Sequence, residues 1–144
     1  MDALEIRHFG TLSITTDPNG LFMLGATSAG KRIIQELLAA EFDGERLIGR
    51  MIGNSGADWL TIADNGEVTL DIRLVLETND GARVYVHLDG RANWAERLGA
   101  GAIYATARLE SGDERYTFVN QLRLVSKGSI GEGGAVAHEL YELM

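Results

Sequence analysis

The chain has 144 residues, a net charge of −8 and a pI near 4.8, which fits one acidic domain large enough to bury a core. So acidic a surface repels phosphate backbones and anionic lipid, and Lys31-Arg32 is the sole adjacent basic pair, so neither nucleic acid nor a membrane is an expected partner. The absence of cysteine excludes disulfides, thiolate catalysis and Cys-based metal sites.

Hydrophobic residues make up 45% and charged residues 24%, ordinary for a globular protein. No apolar run is long enough to cross a bilayer, and the N-terminus does not read as a secretory signal. A cytoplasmic location is the expectation. Eighteen glycines against one proline, Pro18, suit tight hairpins and bent strands better than a helical bundle.

The predicted elements run as follows. Residues 5–15 alternate in part and read as a strand. Asp17-Pro18-Asn19-Gly20 is a turn signal, and residues 21–24 are a short apolar run. Residues 31–41 are ambiguous: Ile33, Ile34, Leu37, Leu38 and Phe42 fall at helical spacing among good helix formers. After the Asp43-Gly44 turn, residues 46–52 read as a strand and 53–56 as a loop. Strands over 58–63 and 68–78 flank Asp64-Asn65-Gly66, a hairpin signal. A strand over 82–88 follows Asn79-Asp80-Gly81, and residues 93–98 suggest one helical turn. Strands over 103–109 and 116–125, a glycine-rich loop over 128–134 and a last strand over 136–143 complete the chain. Short strands joined by local turns predict one domain over residues 1–144, an all-β, up-and-down antiparallel barrel with at most short helices.

Side chains alternate faces along a strand, so Leu70, Ile72, Leu74 and Leu76 share one face, and Asp71, Arg73, Val75 and Glu77 the other. Tyr85 with His87, Tyr104 with Thr106, and Tyr116 with Asn120 mark polar faces on later strands. Two arrangements fit. Either the aliphatic faces fill the core and the polar faces meet water, or the polar faces line a cavity around a ligand and the aliphatic faces are covered by a neighbour, for instance in a homodimer. In the second, Asp71 pairs with Arg73 across the pocket, which lowers the cost of burying either charge.

Asp58 beside Trp59 is the leading candidate for a general base, because an aromatic neighbour can desolvate a carboxyl and raise its pKa. The plainer reading is a turn-capping Asp and a core Trp. His8, His87 and His138 sit on three separate predicted strands with no local pair, so their spacing does not support a metal site. There is no GxSxG nucleophile elbow, and Gly25-Ala26-Thr27-Ser28-Ala29-Gly30-Lys31-Arg32 departs from the phosphate-loop pattern at Arg32. No cofactor and no metal are expected.

That glycine-flanked segment does occur in another pattern. Together with Phe42-Asp43-Gly44, Gly56-Ala57-Asp58-Trp59, Leu70-Asp71-Ile72-Arg73, Asn79-Asp80-Gly81-Ala82 with Val84-Tyr85, and Glu110-Ser111-Gly112-Asp113 with Arg115-Tyr116 and Asn120, it resembles the domain-of-unknown-function 3237 family of small calycin-like β-barrels. The resemblance implies a lipocalin-like barrel with a ligand-sized interior, and extended structure over part of 31–41. It directs attention to Asp58, Asp71, Arg73 and Tyr85, and carries no reaction with it. Residues 35–42 and 105–107 depart from the family's pattern and would reshape a pocket.

The functional expectation is a cofactor-independent enzyme (isomerase, cyclase, lyase or hydrolase) acting by acid/base chemistry on a small, partly apolar, oxygenated molecule inside the barrel. Asp58 is its base, Tyr85 its acid or oxyanion donor, and Arg73 the binder of a carboxylate or enolate oxygen. Trp59, Asp71, His87, Tyr104, Thr106 and Asn120 are the expected substrate contacts. The alternative is a non-catalytic carrier of a small ligand, which needs few buried ionisable groups.

Overall fold

The computed structural model describes residues 2–144. Among these residues nine strands form one antiparallel sheet: β1 (Ile6–Thr27), β2 (Gly30–Asp43), β3 (Ile48–Met51), β4 (Ala57–Ile62), β5 (Glu67–Thr78), β6 (Arg83–Asn93), β7 (Ile103–Glu110), β8 (Leu124–Ile130) and β9 (Ala135–Leu143). β1 pairs with both β2 and β9, so the sheet closes on itself. β3 and β4 both lie between β2 and β5, one above the other, and so act as a single interrupted stave. The result is the expected all-β, up-and-down barrel, which leaves no free sheet edge. No helix among the described residues is long and apolar enough to cross a membrane.

Three local expectations are corrected and one ambiguity, over residues 31–41, is resolved. Asp17-Pro18-Asn19-Gly20 does not end β1. The strand continues through it, and the β1–β2 register jumps from Thr16↔Leu37 to Leu21↔Gln35, so the four residues bulge out of the ladder. Asp17 Oδ1 accepts the Asn19 N–H at 2.9 Å, a local bond that stabilises the bulge where Pro18 has no N–H to offer. The hairpin turns instead at Thr27 and Gly30, where Thr27 Oγ1 donates to the Gly30 carbonyl at 2.7 Å and Gly30 takes φ +109°.

Residues 31–41 are strand, as the family resemblance implied and the helical spacing did not. A bulge in β2, where Thr15 pairs with Ala39 and Thr16 with Leu37, resets the alternation. Leu37, Ala40 and Phe42 are therefore all buried, a spacing that imitates a helix face. Asn93 ends β6 and residues 94–98 make a bend with no helical turn, and 116–121 are not strand. There the chain makes a 3-10 helix, Thr117–Gln121, anchored by Asn120, which accepts the Ser111 N–H at 2.8 Å and donates to its carbonyl at 2.9 Å.

The barrel interior is mainly apolar. Leu70, Ile72, Leu74 and Leu76 of β5 point in, as do Val84, Val86 and Leu88 of β6. Burying these uniformly aliphatic faces removes the most surface from water, whereas the Asp71–Arg73 face keeps its charges hydrated outside. The aliphatic outer surface expected as an assembly face on β5 is thus the lining. One end of the barrel is packed solid by Phe9, Phe42, Leu47, Leu76, Val84 and Val119. The other end is open.

Candidate functional site

The open half of the barrel is a cup of about 320 Å³. Its walls come from alternate residues of the staves: Ile14 of β1, Ile33, Gln35 and Leu37 of β2, Leu60 and Ile62 of β4, Leu70 and Ile72 of β5, Ile103 of β7, and Val136 and His138 of β9. Trp94, in the bend after β6, closes part of one side. Leu21, Met23, Leu98 and Ile130 also line it and are solvent-exposed, which makes the rim apolar.

Among the described residues, Asp58 is the one carboxylate in this lining. The break between β3 and β4 puts it there. Gly53 takes φ +52° in that break, and Gly56 sits where a Cβ would lie 2.6 Å from Met51 Sδ and 2.9 Å from Leu37 Cδ1. The chain re-enters the ladder at Ala57↔Arg73 and Asp58↔Ile72, so Asp58 shares the inward face with Ile72. Opposite Trp59 the ladder opens, and the Asp71 N–H donates to Asp58 Oδ1 at 3.0 Å instead of to a backbone carbonyl. Among the described residues no other group bonds this carboxyl. Burial in the apolar cup pushes its pKa up to about 7, a rise that the Asp71 N–H opposes and the Asp71 carboxylate reinforces.

His138 is the second titratable group of the cup. It is fully buried, and neither ring nitrogen has a hydrogen-bond partner among the described residues. Its ring packs against Gly128, where a Cβ would fall 2.4 Å from Nδ1. Desolvation lowers its pKa to about 4, so the imidazole is neutral at pH 7. The indole Nε1 of Trp94 is likewise buried without an acceptor. Among the described residues, no Lys or Arg lines the cup.

The other expected site residues are not gathered with Asp58. Arg73 and Asp71 pair on the outer wall, with Arg73 Nε and Nη2 donating to the two Asp71 oxygens at 3.1 Å. His87 Nε2 lies 2.8 Å from Asp71 Oδ1 on the same wall. The Arg73 guanidinium holds the Asp71 carboxyl below its usual range. Tyr85, in register with Val75, and Asn120 border a shallow outer groove with Arg83 and Ser111. Trp59 and Tyr104 are exposed, Tyr104 beneath Lys127 Nζ at 5.8 Å from the ring centre, and Thr106 borders another shallow groove with His87. The expectation that Arg73, Tyr85 and these contacts converge on Asp58's cavity is therefore corrected. One residue of alternation separates them from it, because Asp58 faces in with Leu70 and Ile72.

His138 and Trp94 were not among the expected contacts. His138 carried a readable signal: Val136, His138 and Leu140 share one face of β9, a lone histidine on an apolar stripe. Nothing in the local sequence marked Trp94, whose position depends on the bend after β6.

Solved structures share this architecture. A β-barrel-like protein from Acinetobacter baumannii is 29% identical, with TM-score 0.85 over 100% of this chain and 98% of that one. A conserved protein of unknown function from Rhodopseudomonas palustris is 24% identical, with TM-score 0.89 over 100% of both chains. A more distant structure, described as an enzyme from Penicillium herquei, is 17% identical with TM-score 0.73, over 100% of this chain and 97% of that one. No curated protein matches the sequence. The family model described as "Protein of unknown function (DUF3237)" matches residues 4–143, and the chain belongs to that family.

Proposed function

We propose that the cup binds a small, partly apolar, oxygenated molecule and that Asp58 serves there as the general acid/base of a cofactor-independent reaction, an isomerisation, cyclisation, elimination or hydrolysis. The observation that carries this reading is a carboxyl buried in an apolar, ligand-sized cavity, held by a single backbone N–H and poised to exchange a proton near neutral pH. A carboxyl in that state can take a proton from carbon or oxygen at pH 7 and return it within the same turnover. The outer-wall positions of Arg73, which is exposed, and Tyr85, which is half-buried, support Asp58 in this role without them. The Penicillium herquei enzyme supports no more than the capacity of this fold to host catalysis.

A base in a dry cavity can be tested before its substrate is known. Nitrobenzisoxazole loses a carbon-bound proton to a base as its N–O bond breaks, giving a coloured product. The wild-type protein should accelerate this at least tenfold over solution, within the range of general-base catalysis. The rate should climb through about pH 7, with Asp58→Asn returning it to the solution level. An Asn variant as active as wild type would refute the assignment.

A second reading has its own support. The apolar walls and exposed rim residues Leu21, Met23 and Leu98 suit uptake of a greasy ligand by a carrier. Under that reading the protein binds an apolar fluorophore with equal affinity before and after Asp58→Asn, and neither form turns over nitrobenzisoxazole.

A further inference from the structure

We propose that the molecule held in the cup carries a neutral hydroxyl group, which donates its hydrogen to the side-chain oxygen of Gln35 beside Asp58, and that a ketone without such a donor is a poor ligand. This rests on the reading of the cup as a ligand site and specifies which oxygenated molecules it takes. Gln35 of β2 is in register with Asp58 of β4, and both line the cup. Directly opposed side chains on one face stand about 5 Å apart at Cβ, so a molecule at the carboxyl is also within reach of the amide.

The amide is held from behind by carbonyls. Gln35 Nε2 donates to the Asp17 carbonyl at 2.8 Å and to the Glu36 carbonyl at 3.0 Å, with the Gly20 carbonyl at 3.5 Å. Asp17 and Gly20 belong to the bulge of β1, which gives that bulge a task. A flipped amide would turn its oxygen toward these carbonyls, so the network fixes the orientation. Both Nε2 hydrogens are spent, and among the described residues Oε1 receives no hydrogen bond. Asp58 is alike: the Asp71 N–H occupies Oδ1 and nothing bonds Oδ2. The unpartnered polar side-chain atoms sealed from solvent are Trp94 Nε1, Ser126 Oγ and the two His138 nitrogens, among the described residues. Gln35 Oε1 and Asp58 Oδ2 are unpartnered without being sealed, so a ligand can touch them. Thr16, the remaining polar side chain of the lining, gives its hydrogen to the Gly134 carbonyl at 3.2 Å.

The reachable side-chain atoms therefore accept hydrogen bonds and have none left to donate once Asp58 is ionised. A ligand that fills the cup strips these oxygens of water, and only a donor on the ligand offsets that loss. A ketone brings a further acceptor to a set of acceptors. A phenol, enol or alcohol supplies the missing hydrogen. An ammonium also donates, but its charge must leave water for an apolar cavity, a cost that a hydroxyl does not carry. Gln35 is on this account a binding residue that places the hydroxyl next to the group at which Asp58 transfers a proton.

The test compares three probes of one shape, tetralol, tetralone and tetralin, with 2-aminotetralin as the cationic control, at pH 8, above the Asp58 midpoint of about 7. Tetralol should bind at least fivefold more tightly than tetralin, and tetralone no more tightly than tetralin. In Gln35→Met, which keeps the length of the side chain and removes the amide oxygen, the preference for tetralol over tetralin should fall about fivefold, the worth of one net hydrogen bond. The Gln35 side-chain carbonyl 13C resonance should move further downfield with tetralol than with tetralin. Should Gln35→Met fail to fold, the wild-type affinities and that resonance decide alone. Equal affinities for tetralol and tetralin, an unchanged preference in the variant, or tetralone binding as tightly as tetralol would overturn the proposal while leaving the cup a binding site. Tighter binding of 2-aminotetralin than of tetralol would overturn the choice of a hydroxyl. Failure of every probe to bind would overturn the reading of the cup itself.

Discussion

Replacing Asp58 by Asn should stabilise the protein, and by an amount that depends on pH in one direction only. Burial lifts the carboxyl from 3.8 to about 7. Between those values the folded protein holds a proton that the unfolded chain has released, so stability falls as pH rises through this window. The shift corresponds to about 4 kcal/mol, fully lost above about pH 7, where a folded wild-type molecule must keep an uncompensated carboxylate in the cup. Asn retains the volume and the acceptor for the Asp71 N–H and removes only the charge. At about pH 8 the Asn variant should therefore be more stable by up to about 4 kcal/mol, and near pH 4 it should match wild type within about 1 kcal/mol. Urea denaturation at closely spaced pH values gives the difference curve, and titrating groups common to both proteins cancel in it. A flat offset across the range would mean that the folded carboxyl ionises near its ordinary value, and the reasoning from burial would be wrong.

His138 should show the opposite slope. Its pKa is depressed from 6.5 to about 4, so the unfolded chain binds the extra proton between those values and stability is lost as pH falls through them. Relative to wild type, His138→Phe should gain up to about 3 kcal/mol over that descent, measured by the same denaturation series. Gly56→Ala should destabilise by about 1–3 kcal/mol, because its Cβ would press on Met51, Leu37 and Leu74 at the break that aims Asp58 inward; a drop in melting temperature checks this. Arg73→Ala and Tyr85→Phe, both on the outer wall, should shift stability by no more than about 1 kcal/mol and leave nitrobenzisoxazole turnover intact. A large loss of turnover in either variant would restore them to the site.

The barrel was legible because its evidence is local. Asn65-Gly66 and Asn79-Asp80-Gly81 mark hairpins whose glycines take φ +88° and +90°, and the strands between them alternate cleanly. Where bulges interrupt the ladder, the pattern misled. Residues 31–41 imitate a helix because a bulge resets the period, and Pro18 looked like a turn because a bulge uses the same residues. For the site, Asp58 was readable from its aromatic neighbour, although Trp59 itself points outward and the desolvation comes from the cup. The polar faces were the harder matter. Alternation groups Asp71 with Arg73 and Leu70 with Ile72, but a period of two cannot say which group is inside. That choice follows from closure of the sheet around an apolar interior, a property of all the strands at once. His138 stood on the apolar stripe of β9 from the start, and a polar residue among inward aliphatics is the signal that finds such a site.

The account depends most on the protonation state of Asp58 in the folded protein. A carboxyl NMR titration, with the resonance assigned by its loss in Asp58→Asn, measures it directly. A midpoint near 7, against the 3.8 of a free side chain, is the result expected of a carboxyl buried in an apolar cup and ready for proton transfer. A midpoint near 4 would place that carboxyl in effective contact with water, and neither a dry cavity nor an acid/base role for Asp58 would survive it.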